Sequence, residues 1–169
     1  ARTTETGLSN ALDLLARICA IAGGLLVVAI TLVTTGSIAG RWLFDAPLSG
    51  DTELIEYGMA IIVAAFLPLC QWRRANIIVD FFTTRLSAHG RQRLDRLGAL
   101  MIAAMMTLIT WRTAVGALDQ KSVGATTMLL QWPEWLAYAL MLPPLALTAV
   151  IALYMGVTGR SGQPGLQES

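Results

Sequence analysis

Between Arg17 and Arg41 the chain reads ICAIAGGLLVVAITLVTTGSIAG, Ile18 to Gly40, 23 residues without a charge. As a helix this stretch rises about 35 Å, more than the roughly 30 Å hydrocarbon core of a bilayer. It is longer than the apolar part of a secretory signal, and further spans follow it, so it is expected to be retained. Working outward, Tyr57 to Trp72 is uncharged over 16 residues and gains a turn from Leu54 and Ile55. Leu97 to Trp111 is uncharged over 15 residues and continues past Arg112 to Leu118, and Trp135 to Gly159 is uncharged over 25. The expected spans are 18–40, 54–72, 97–118 and 135–159. In the last, Pro143 and Pro144 remove two backbone donors and predict a kink, which either serves packing or opens backbone to a substrate.

Composition agrees. Of 169 residues 55% are hydrophobic and 14% charged, with mean hydropathy +0.61, against about 25% charged in soluble domains. That excludes an ordinary soluble enzyme, and a net charge of +1 gives no support for nucleic-acid binding. The expected fold class is an all-α integral membrane protein, one membrane domain over 1–169 with four transmembrane helices in a single compact bundle.

Basic residues set the expected orientation. Arg2, Arg17, Arg73, Arg74, Arg85, Arg91, Arg93, Arg96 and Arg160 would share one side, and Arg41, Arg112 and Lys121 the other. Both termini and the middle connection are therefore expected in the cytoplasm. Trp42, Trp111, Trp132 and Trp135 would lie at the outer interface and Trp72 at the inner one, as membrane anchors. From Asn76 to Arg96, apolar Ile77, Ile78, Phe81, Phe82 and Leu86 recur at helical spacing among basic residues. They read as an interfacial amphipathic helix, with Arg73, Arg74 and Arg85 against head groups, or as apolar residues packed under a loop.

Chemistry-bearing residues are sparse. His89 is the one histidine, which disfavours a haem anchor, and Cys19 and Cys70 lie at no metal-ligand spacing. No catalytic residue, cofactor or metal site is expected, and the central parts of the uncharged runs hold no carrier-type charge. Gly36 and Gly40 form a small-xxx-small pair that could meet a neighbour within the chain or another protein. The first outer connection carries Asp45, Asp51, Glu53 and Glu56 against Arg41, either as a solvated helix start or as a binding feature. Arg112 must snorkel or find a partner, and Glu56 or Glu53 is the expected one. Arg112→Leu should then lower stability in detergent.

Three stretches carry a resemblance. Gly40-Arg41-Trp42-Leu43-Phe44-Asp45-Ala46-Pro47-Leu48-Ser49 with Glu53-Leu54, Arg73-Arg74-Ala75-Asn76-Ile77-Ile78-Val79-Asp80, and Leu130-Gln131-Trp132-Pro133-Glu134-Trp135 together resemble the small membrane subunit, the DctQ family, of tripartite ATP-independent periplasmic (TRAP) transporters. The resemblance runs from about Asp13 to Val157.

It implies a scaffold in the bacterial inner membrane. In such systems a periplasmic binding protein delivers an organic acid, and a large membrane subunit of the DctM type moves it by a sodium-coupled, elevator-like motion. The small subunit would hold the large subunit's fixed domain, with Gly36, Gly40, Arg41, Phe44, Pro47, Glu53, Glu56 and Arg112 as candidates for partner or helix packing. Membrane lipids would be further partners. The alternative is a self-contained homodimeric carrier or exporter, and beyond it an anchor for a redox enzyme or a free-standing structural protein.

Overall fold

The computed structural model describes residues 2–44, 50–73 and 88–158, with side chains over 7–43, 50–73 and 96–158. Four helices account for nearly all of them: α1 (Arg2–Phe44), α2 (Asp51–Trp72), α3 (Ala88–Val123) and α4 (Trp135–Thr158). Each contains a segment long and apolar enough to cross a membrane. With no water in hydrocarbon, polar groups must be satisfied locally, and the helices do this with their own hydroxyls. Thr31, Thr107, Thr110 and Thr148 each donate to the carbonyl four residues back, at 2.7–2.8 Å. α4 continues through Pro143 and Pro144, and Thr148 bonds the Pro144 carbonyl.

The helices form an open row rather than a closed ring. α1 packs on α2, α2 on α4 and α4 on α3, and α1 touches α4 only lightly. The compact bundle expected from composition assumes a drive to close, whereas lipid is as apolar as Leu and close contact is needed to hold two helices together. Small residues supply that contact. Gly23 lies against Ala65, and Gly58 leaves room for Ile30 where a side chain would collide, joining α1 to α2 antiparallel. Gly116 faces Tyr138 and Gly156 faces Leu100, joining α3 to α4 antiparallel.

At the Trp72 end, Leu12, Ala16, Trp72, Ile151 and Met155 form an apolar core. The Trp72 ring stacks on Tyr154 at 6.2 Å. This core explains why α1 is 43 residues long and begins well before Ile18: Leu12 and Ala16 are buried packing residues.

The expected interfacial helix over 76–96 lies largely outside the described residues. Its last part, from Ala88, is continuous with α3.

Candidate functional site

The other end of the row, where α2 and α4 begin, concentrates the polar contacts. α2 starts from Gly50, whose φ of 92° is left-handed. A Cβ at Gly50 would stand 2.7 Å from Leu130. Glycine is needed there twice over, for the backbone and for the room.

Leu130 belongs to the connection between α3 and α4. Gly124, at φ 67°, ends α3, and the Ala125 N–H donates to the Gln120 carbonyl at 3.1 Å. The chain then folds back. Thr126 pairs with Pro133, Thr127 N–H donates to the Trp132 carbonyl at 2.9 Å, and Trp132 N–H donates to Thr127 Oγ1 at 3.1 Å. Glu134 N–H closes the loop on the Ala125 carbonyl at 3.1 Å. At its tip the Leu129 and Leu130 N–H groups need acceptors, and Glu53 on α2 provides both. Leu129 N–H donates to Oε1 at 2.8 Å and Leu130 N–H to Oε2 at 3.0 Å. A carboxylate, which only accepts, suits a pair of main-chain donors. One side chain thereby ties α2 to the α3–α4 connection.

A second tie joins α1 to α2. Ser37 Oγ, buried on α1, donates to Asp51 Oδ2 at 2.7 Å. Arg41 Nη2 stands 3.8 Å from the same oxygen but is mostly exposed, so this ion pair is screened and adds little.

Beneath these ties lies a cavity of about 480 Å³ between α1, α2 and α4. Leu26, Ile30, Ile61 and Leu140 are among its apolar lining, and Glu53, Tyr57 and Glu134 supply polar groups. Tyr57 interacts with Glu134, and the Lys121 ammonium lies 5.2 Å from the Trp135 ring centroid. Both Glu53 oxygens are occupied by the loop. The arrangement holds helices and a connection in register.

Of the residues singled out from sequence, the structure brings together Arg41, Glu53, Trp132 and Trp135 at this end. Glu56 is exposed on α2. Gly36 faces open space while its neighbour Ser37 makes the helix contact, so Gly36 packs on no other described helix. Gly40 is partly exposed, and Phe44 ends α1 with its side chain outside the described set. Pro47, Arg74 and Arg85 lie outside the described residues; Arg73 is exposed just past α2.

Two expectations need correction. Trp72 is 4% exposed and stacked inside the row, so it is a packing residue at that end rather than a ring among head groups. Arg112 meets neither Glu53 nor Glu56, because α3 packs on α4, which stands between it and α2. Among the described residues Arg112 has no ion pair, and it is exposed. Trp42 and Trp111 are also strongly exposed.

Sequence reasoning missed Ser37, Gly50, Thr127 and Leu130. Gly50 before Asp51 was the available signal, since a glycine preceding an acidic first turn marks a special start. The Leu130 contact is long-range and left none.

The model of the family described as "Tripartite ATP-independent periplasmic transporters, DctQ component" matches residues 30–160. No curated protein and no solved structure matches.

Proposed function

The chain belongs to the DctQ family and is a component of a TRAP transporter, multi-pass in the inner membrane and not an enzyme; from this premise we infer that it is the static scaffold of that transporter. It would hold the fixed part of a large DctM-type subunit while the moving part carries an organic acid, received from a periplasmic binding protein, with sodium.

The observation that carries this reading is the open row. A row one helix thick leaves α1 and α3 only 11% buried over their most apolar windows, against 28% for α2 and α4. Such a shape offers long lateral surfaces to other membrane-embedded molecules. Two carboxylates at one end are spent on internal ties, Glu53 on the α3–α4 connection and Asp51 on Ser37. Rigidity is what a scaffold requires, because a domain can be displaced across the bilayer only against something held still. With both termini in the cytoplasm, Arg73, Arg74 and Arg85 would meet anionic head groups, each interaction worth about 1 kcal/mol, and resist vertical movement.

The test is a mild-detergent pull-down of the tagged chain from native membranes, with the intact mass of what accompanies it. A stoichiometric, much larger multi-span protein is expected. Recovery of the chain alone as a stable homo-oligomer, transporting by itself in proteoliposomes, would replace this reading with the small-carrier one. Neutralising Arg73, Arg74 and Arg85 together should slow transport by the reconstituted complex and leave substrate capture unchanged.

A further inference from the structure

Among the described residues Arg112 has no ionic partner, and it stands in a place that needs one. The contacts of Gly116 with Tyr138 and of Leu100 with Gly156 register α3 on α4 and set Arg112 level with Leu142 and Pro143, well inside the α4 helix. Along α3 the nearest preceding charge, Arg96, is 16 residues back and the next, Asp119, seven residues on. Those separations correspond to about 24 Å and about 10 Å of helix. Side chains on a helix lean toward its N-terminus, so Arg112 leans along the longer of the two routes, away from the nearer interface. Snorkelling is therefore hindered.

Its surroundings share its direction. Leu97, Met101, Met105 and Leu108 are each more than half exposed. They recur at steps of four, four and three, with Arg112 four further on, which places all five on one face of α3. Buried Ala103 and Ala117 lie on the opposite face, toward α4. The stripe thus looks directly away from the row. A guanidinium within a membrane faces protein or water, not lipid, and flexible, polarisable Met side chains suit an irregular protein surface.

We propose that this face of α3 is covered by a transmembrane helix of the large subunit that presents a carboxylate at the depth of Arg112. The inference rests on the scaffold reading and adds to it the contact face and the chemistry of the partner. The carboxylate neutralises the charge, and the planar fork of the guanidinium fixes depth and rotation together, as Lys would do less well.

The experiment uses the full chain in native membranes, with a benzophenone amino acid at Met105 or, as control, at Val28 on α1, and in parallel Arg112→Leu and Arg112→Lys. Irradiation at Met105 should join the chain to the larger protein, and at Val28 should not. Arg112→Leu should reduce the recovered large subunit at least about tenfold, the scale of losing a desolvated charge pair, with Arg112→Lys between it and wild type. The melting temperature of the isolated Arg112→Leu chain in detergent should be unchanged or higher, which separates lost docking from lost folding. If wild type captures the large subunit but the Met105 probe labels only lipid, or Arg112→Leu retains the subunit in full, the contact face is wrong and the scaffold reading stands. A cross-link from Met105 to a second copy of this chain also overturns it. If wild type captures no large protein, both readings fall.

Discussion

α1 and α3 are the two edges of one row, equally unburied, and their outward faces differ in one respect. Along α1 the exposed residues of the span include Ile18, Ile21, Leu25, Val28 and Leu32, all aliphatic. Along α3 the corresponding face is Leu97, Met101, Met105, Leu108 and then Arg112. Exposed apolar surface in a membrane is open to lipid and protein alike, because lipid also satisfies it fully. A charge at depth is not, because lipid does not satisfy it. On the proposed contact face, the aliphatic edge is suited to bilayer and the charged one to protein.

The largest test of that difference is to give α1 the same feature. Packing of Gly58 on Ile30 and of Gly23 on Ala65 sets Val28 at about the depth of Arg112, through α2 and α4. Val28→Arg should lower the membrane-integrated fraction of the chain, a cost of roughly 3 kcal/mol at a helix centre. Co-production of the large subunit should not rescue it. If Val28→Arg integrates as well as wild type, a charge at this depth is cheap and the distinction between the two edges disappears.

The internal ties come next, since a different carboxylate supplements the helix packing on each side of the row. On the α3 side it is Glu53, whose two oxygens receive Leu129 and Leu130 N–H of the α3–α4 connection. Glu53→Ala leaves both donors unpaired in the loop. It should speed amide exchange at Leu129 and Leu130 and lower the melting temperature, while amides in the middle of α1 keep their protection. Uniform loss of protection over all four helices would mean that the row is one cooperative unit and its edges are not separately fastened.

How much of this could be read in the sequence follows from what carries the signal. Uncharged runs located all four helices, because length and apolarity are local properties. The uncharged run marks a span and not the start of α1, since Leu12 and Ala16 lie in a stretch with Asp13 and Arg17, and only contact with Ile151 and Met155 makes them core. Trp72 was assigned by residue type, yet whether a tryptophan at a helix end faces head groups or a neighbour depends on tertiary contact, here with Tyr154. Glu53 was found as an acidic first-turn residue, but its real role depends on a loop far along the chain. The pairing of Arg112 with Glu56 presumed a closed bundle. In an open row those two helices are never neighbours, and the expected effect of Arg112→Leu on the isolated chain changes sign.

The smallest effect concerns neighbouring residues on α1. Gly36 belongs to the small-residue pair noted in the sequence and Ser37 is its neighbour, and the structure divides them: Ser37 is buried and bonded to Asp51, whereas nothing lies within 4 Å of a Cβ built on Gly36. Ser37→Ala should lower the melting temperature by removing one hydrogen bond at the α1–α2 junction. Gly36→Ala should leave it unchanged or raise it slightly, because alanine favours helix over glycine and meets no obstruction. Melting of the two variants in detergent decides between a small-residue face turned inward and one turned out. Destabilisation by Gly36→Ala would show that α1 approaches another helix there, and would make the α1 edge a contact surface as well.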